Sequence, residues 1–179
     1  MPTVLVIVAE GFEEIEMIAP VDLLRRAGAE VTVAAIGANF HVTSRGGFTL
    51  HADTTLAQVA PQNFDCVFLP GGPGVKHLRT DPLVRATVVR HHEQDKWIAA
   101  ICAAPTVLHD AGLLRGRRYT AHFSVANELP DILANERVVR DGRIITSRGA
   151  GTALDLGFAL IELLFSEHAA ADVRQAVCA

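Results

Sequence analysis

The sequence predicts an α/β domain built on a mainly parallel β-sheet with helices on both faces. Three observations carry this. The first 36 residues read as a short apolar strand, a helix and a second apolar strand, which is a βαβ unit. The same unit recurs from Asp65 onward. The 179 residues run on with no low-complexity linker and no shift in composition, as expected of one domain spanning residues 1–179.

The elements follow in order. Val4–Ala9 is a strand, followed by Glu10-Gly11-Phe12 and a helical pattern to about Ala27. Gly28 ends that helix as the residue just past its cap. Glu30–Ile36 is the second strand, and residues 40–51, which alternate weakly around Gly46-Gly47, form a small hairpin. Asp65–Leu69 is the third strand. Pro70-Gly71-Gly72-Pro73-Gly74 makes a tight loop, and Pro82–Asp95 is a helix. Trp97–Ile101 and Ala103–Ala111 continue the alternation. Arg118-Tyr119-Thr120-Ala121 reads as a further strand ending at His122. Val138–Arg140 and Ile144–Thr146 flank Asp141-Gly142, a strong hairpin signal. Gly151–Phe165 is apolar nearly all round, with Asp155 and Glu162 on one stripe, so most of this helix is buried. A last helix covers about Ala169–Val177.

Composition excludes several classes of function. Half of the residues are hydrophobic, a fifth are charged and the formal net charge is −4. No basic patch invites nucleic acid, and no basic amphipathic helix invites a membrane surface. The most apolar stretch, Ala153–Phe165, is too short to span a bilayer and is broken by two acids. Val4–Ala9 is too short for a signal sequence and has no basic segment before it. Cys66, Cys102 and Cys178 share no disulfide or metal spacing, and an odd count of thiols suits a reducing cytoplasm. The expectation is a cytoplasmic protein without a metal or cofactor.

Cys102 is the first candidate for chemistry. It directly follows the apolar strand Trp97–Ile101 and precedes a helix, with small residues, Ala100 and Ala104, two positions to either side. This is the pattern of a nucleophile elbow, whose sharp turn leaves room only for small neighbours. Pro105 suits the start of the helix. A helix N-terminus there is expected to lower the thiol pKa. The competing reading is a buried structural cysteine. The glycine loop after Leu69 is the second candidate. Its backbone N–H groups can point into the crevice at the strand ends, so the N–H groups of Gly72 and Ala103 are candidates for an oxyanion hole. The loop matches no nucleotide-binding signature.

Glu13, Glu14 and Glu16 follow the first strand, and any one of them can reach Cys102 across the sheet edge. Acids in a first helical turn are also stabilising in their own right. Pro20 lacks the N–H that would bond the Glu16 carbonyl, so that turn is expected to be irregular. Of eight histidines, His91 and His92 sit in a polar helix and are expected to face solvent, whereas His122 is the best placed to serve a thiol. Thr43-Ser44-Arg45-Gly46 and Thr146-Ser147-Arg148-Gly149 echo each other, but four residues do not make a repeat.

Taken together, Gly11–Glu16, Pro20–Gly28, Leu69–Gly72, Ala99–Pro105 and Thr146–Thr152 resemble, in order, the motifs of the ThiJ/PfpI (DJ-one) superfamily, and within it the Parkinson-protein/YajL branch. Ala103, where the protease-like PfpI branch has histidine, argues against that branch. The resemblance implies a flavodoxin-like three-layer sandwich of the class I glutamine-amidotransferase type, and a homodimer. It implies Cys102 as the reactive thiol, Glu16 as its carboxyl partner and His122 as the site histidine. Arg26 and Arg45 would lie near the site at the dimer interface. Ala150 departs from the proline usual in the Ser-Arg-Gly-Pro-Gly motif. The implied activity is glutathione-independent conversion of a small reactive aldehyde, methylglyoxal or glyoxal, or deglycation. The alternative is an oxidative-stress sensor or chaperone acting through oxidation of Cys102.

Overall fold

Every other residue of the first strand points to the same side, and both sides are buried. The computed structural model describes all of residues 1–179. Its strands are β1 (Thr3–Val8), β2 (Glu30–Ala35), β3 (His41–Thr43), β4 (Thr49–His51), β5 (Thr54–Thr55), β6 (Cys66–Leu69), β7 (Trp97–Ile101), β8 (Val138–Asp141) and β9 (Ile144–Ser147). Its helices are α1 (Glu14–Arg26), α2 (Leu56–Val59), α3 (Val75–Thr80), α4 (Pro82–Glu93), α5 (Pro105–Asp110), α6 (Ala153–Leu164) and α7 (Glu167–Ala176). Val4, Val6 and Val8 enter a core shared with α1, α6 and α7. Leu5, Ile7 and Ala9 enter a second core shared with α2, α3, α4 and α5. Period-two alternation between two apolar cores produces the three-layer sandwich.

Seven strands form the sheet in the order β5-β2-β1-β6-β7-β9-β8. All neighbours are parallel except β8 and β9, whose hairpin closes one edge. The chain moves outward from β1 first to β2 and then, on the other side, to β6 and β7. That reversal leaves a crevice at the carboxyl ends of β1, β6 and β7, where open α/β sheets place their ligand sites.

Several local readings shift. Residues 75–80 form α3 and residues 54–59 form β5 and α2, elements too short to leave a periodic signal. Arg118–Ala121 is not a strand. The Thr120 N–H donates to the Thr146 hydroxyl instead of to a backbone ladder. Pairing of Asp141 with Ile144 makes Gly142-Arg143 the hairpin turn, one residue beyond the Asp-Gly signal. Helix α5 begins at Pro105, not Ala103. α1 runs unbroken through Pro20, because the α6 contact holds that segment. His91 is fully buried, contrary to the solvent-facing reading. Its Nδ1 donates to the Thr87 carbonyl at 2.8 Å and its Nε2 accepts the Phe64 N–H at 3.2 Å. The physical reason is that α4 lies against the β6 end, so one of its two adjacent histidines must turn inward. No helix is long and apolar enough to cross a membrane.

Candidate active site

Cys102 directly follows β7 with φ +65°, a left-handed backbone that non-glycine residues rarely adopt. The chain tolerates it because both flanks are tied down. The Cys102 N–H donates to the Ser147 carbonyl and its carbonyl accepts the His122 N–H, each at 2.9 Å. Strain held by over-determined neighbours is characteristic of a functional turn. The turn leaves the side chain half-buried in the crevice.

The three glutamates have three different fates. Glu13 caps α1, its Oε2 accepting the Glu16 N–H at 2.8 Å. Glu14 anchors the β3–β4 hairpin, its Oε1 accepting the Ser44 hydroxyl at 2.5 Å and the Gly46 N–H at 2.7 Å. Those donors hold the Glu14 carboxyl below its ordinary range. Glu16 alone turns into the crevice, 1% exposed, and its side chain faces the Cys102 thiol. Its Oε2 is sealed from solvent without a partner of full hydrogen-bond geometry.

Gly71 is what lets the two side chains meet. A Cβ on Gly71 would collide with Glu16 Oε2 and sit 2.5 Å from Cys102 Cβ. Gly72 has φ +92°, and a Cβ there would lie 2.6 Å from the Glu13 nitrogen. These two positions accept no side chain, so the loop delivers bare backbone to the site.

The electrostatics centre on one proton. Burial pushes the Glu16 carboxyl up to about 7, helped by the nearby Glu13 charge, while the Cys102 thiol and the Gly71 and Ala150 N–H groups pull the other way. Burial and the Glu16 carboxyl push the Cys102 thiol up as well, against the N–H groups of Gly72 and Ala103. This overturns the expected lowering of the thiol. Helix α5 starts three residues later, and its dipole is outweighed by desolvation and a like charge. Near neutral pH the pair carries at most one negative charge, with one proton between sulfur and carboxyl. Ala150, standing where the family motif has proline, keeps an N–H that faces this carboxyl.

His122 borders the pair. Its Cδ2 lies 3.3 Å from where a Cβ on Gly149 would be, and Glu16 Oε1 lies 4.0 Å from the same point. His122 Nδ1 accepts the Ser124 N–H at 3.2 Å and is 2.8 Å from the Ser124 hydroxyl. The neutral ring therefore carries its proton on Nε2. The N–H groups of Gly72 and Ala103 address the Cys102 sulfur itself. Arg45 lies in the hairpin turn beside Glu14, its N–H donating to the Phe12 carbonyl at 2.9 Å. Arg26 is at the opposite end of α1 from Glu16 and pairs with Asp22 at 2.7 Å. Sequence reasoning passed over Gly71, whose small size is as necessary as that of Ala100 and Ala104; its place in the glycine loop was the available signal.

A strained cysteine elbow beside a buried carboxylic acid, at the switch point of a parallel sheet, defines a cysteine-centred α/β sandwich protein. The chain belongs to the DJ-1/PfpI family, whose model matches residues 2–163. It is 39% identical to Protein dj-1beta of Drosophila melanogaster, over 96% of this chain and 94% of that one. It is 32% identical to Deglycase TK1284 of Thermococcus kodakarensis, over 83% of this chain and 90% of that one. The solved structure of oxidized Toxoplasma gondii DJ-1 superposes with a TM-score of 0.95 at 35% identity, covering 99% of this chain and 98% of that one.

Proposed function

We propose that the protein is a cysteine-dependent, glutathione-independent glyoxalase or deglycase-type enzyme acting on methylglyoxal or glyoxal. The observation that carries this reading is the Cys102–Glu16 pair: a thiol on a strained turn beside a carboxyl whose pKa, about 7, suits proton transfer at neutral pH. Sγ of Cys102 adds to the aldehyde carbon and the shared proton passes to the carbonyl oxygen, giving a hemithioacetal. The Glu16 carboxylate takes the proton from that carbon and returns it to the neighbouring one, while the hydroxyl proton on the first carbon passes to the oxygen of the second. The product is a thioester of the 2-hydroxy acid. Water then cleaves the thioester, freeing the hydroxy acid and the thiol. The sum is aldehyde plus water giving hydroxy acid. The Gly72 and Ala103 N–H groups stabilise charge at sulfur and the oxygen beside it, and the His122 Nε2–H donates to the second carbonyl oxygen. The name of the Thermococcus relative supports a deglycase-type role. Purified protein should release lactate from methylglyoxal, and Cys102→Ala should release none. Equal lactate from both would end this reading.

One observation favours a second reading, an oxidative-stress sensor or redox-regulated chaperone. The similar Toxoplasma structure is described as oxidized. In this chain peroxide would take the Cys102 thiolate to sulfenate and then sulfinate, with two molecules of peroxide reduced to water. A protonated Glu16 would donate to the sulfinate. Sulfinate formation without any aldehyde turnover would favour this reading over the first.

The same proposal includes a homodimer working in the cytoplasm. Ile15 and Ile18 on the outer side of α1 and Phe48 on the hairpin are 55%, 52% and 72% exposed, beside Arg45 and on the helix that carries Arg26. All three cysteines are free thiols.

A further inference from the structure

A cavity of about 700 Å³ opens beside the Cys102–Glu16 crevice, and His122, Gly149 and Ala150 line it. Gly149 is the narrow point between the two. A Cβ there would lie 3.3 Å from His122 Cδ2 and 4.0 Å from Glu16 Oε1, so a side chain would fill the space between the cavity wall and the crevice. The cavity is far larger than a three-carbon aldehyde needs and lies in the roughly 300–1,000 Å³ range of pockets for larger ligands. Its walls have a definite chemistry. Pro130 and Ile132 supply apolar surface, and Phe123, 80% exposed, leans on His122 with the ring centroids 4.1 Å apart and the planes tilted by 35°. No aspartate or glutamate lines it, but two arginines do.

The two arginines differ. Arg137 is already neutralised by Asp155 at 2.7 Å. Arg148 has no acidic partner. It is half-buried, and its guanidinium makes one bond, from Nη1 to the Ala134 carbonyl at 3.1 Å. Nε and Nη2 are left without a protein partner. A guanidinium offers five donors in a planar fork that matches a carboxylate. An uncompensated fork in an acid-free, half-apolar groove is a built receptor for an anion at the end of an apolar linker.

We infer that Arg148 is a specificity-determining residue that reads a carboxylate on the far end of a carbonyl substrate, whose linker lies along Phe123, Pro130 and Ile132. The inference rests on the aldehyde-handling reading of Cys102 and names its substrate class: 2-oxoaldehydes carrying a remote carboxylate, in preference to neutral ones.

The test compares 4-carboxyphenylglyoxal with phenylglyoxal. Initial rates of mandelate-type product are measured while mass spectrometry confirms that the arginines stay unmodified. In the native protein kcat/KM should favour the carboxylated substrate by about tenfold or more, carried in KM. Arg148→Gln should bring that ratio to near one. Arg148→Lys, which keeps the charge and loses the fork, should give an intermediate ratio. A native ratio near one, or a ratio unmoved by Arg148→Gln, overturns the inference. A binding arm needs no turnover: 4-acetylbenzoate and acetophenone, whose ketones lack the aldehyde, are titrated while the Gly149 and Phe123 amide resonances are followed. The benzoate should bind about tenfold tighter, and only with Arg148 in place. If no aldehyde is turned over, the glyoxalase reading falls by itself. Arg148-dependent binding of the benzoate would still sustain the anion groove, and equal binding of both ketones would refute it.

Discussion

At the scale of single residues, one shared proton governs the site. Glu16 has its folded pKa raised to about 7 from an ordinary 4.5, chiefly by burial. The folded state therefore holds this proton more tightly than the unfolded chain. The associated stability is fully present below pH 4.5 and is lost as pH rises through 7. Glu16→Gln cannot ionise, so it should be more stable than the native protein at pH 8, by about 3 kcal/mol at most, and no different at pH 4. Thermal melts at the two pH values check this. In the enzyme reading the same variant should lose lactate formation by about 100-fold or more. Native kcat/KM should rise as pH passes upward through 7, because the pair works with one negative charge. Full turnover by Glu16→Gln would remove Glu16 from the proton path. The three thiols should differ too. Cys66 is fully buried, its thiol pushed far up by desolvation, and Cys178 is exposed with no donor aimed at it. Iodoacetamide mapped by mass spectrometry should label Cys102 well ahead of Cys66; preferential labelling of Cys66 would contradict the elbow.

At the scale of elements, packing turns sequence neighbours to different uses. His91 is held neutral by burial between α4 and the β6 end, with Arg90 and Lys96 as the charged groups that also disfavour its cation. Its Nε2 must stay unprotonated to accept the Phe64 N–H. With its folded pKa depressed, its contribution to stability is present above about pH 6.5 and is lost as pH falls below that value. His91→Gln, which keeps a donor and an acceptor, should flatten the decline in melting temperature between pH 7 and pH 5. Parallel declines would show that His91 is not the titrating group. The α1–α6 contact sets where Glu16 stands. A Cβ on Gly157 would lie 2.6 Å from Leu23 Cδ1 and 3.2 Å from Pro20 Cα. Gly157→Ala should therefore push α1 outward and cost about 1–3 kcal/mol, the usual range for overpacking. Aldehyde turnover should fall with it, since α1 carries Glu16; an unchanged melting temperature would show that the helices have slack.

At the scale of the whole molecule, the sheet brings three strand ends to one edge and leaves apolar surface uncovered on another side. β1, β6 and β7 deliver Glu16, the Gly71-Gly72 backbone and Cys102 to the same crevice, although these lie up to 86 positions apart in the chain. The exposed isoleucines of α1 and Phe48 of the hairpin form the surface proposed to pair two copies. Sedimentation at micromolar concentration should give a dimer, and Ile18→Lys should shift it toward monomer. A native monomer would leave Arg26 and Arg45 as ordinary surface arginines.

What the sequence determined by itself is whatever short-range chemistry encodes. The strand–turn–helix at Cys102, the glycine loop after Leu69, the glycine after α1 and the period-two strands all depend on residues a few positions apart, and the structure contains each of them. By local pattern Glu16 is one of three acids and His122 the best placed histidine; family resemblance singles out Glu16 and agrees on His122, and the fold brings both to Cys102. Tertiary structure alone decided the rest. Glu13, Glu14 and Glu16 are chemically alike and nearly adjacent, so only partners brought from elsewhere, a cap, the Ser44 hairpin and the Gly71 loop, give them separate fates. The thiol pKa moved opposite to the helix-dipole expectation because burial and a like charge are properties of the assembled crevice. His91 turned inward and Arg118–Ala121 stayed out of the sheet for the same reason. Whether a side chain meets water, and whether a backbone N–H finds a ladder or a hydroxyl, depends on segments tens of residues away, and no local pattern records those distances.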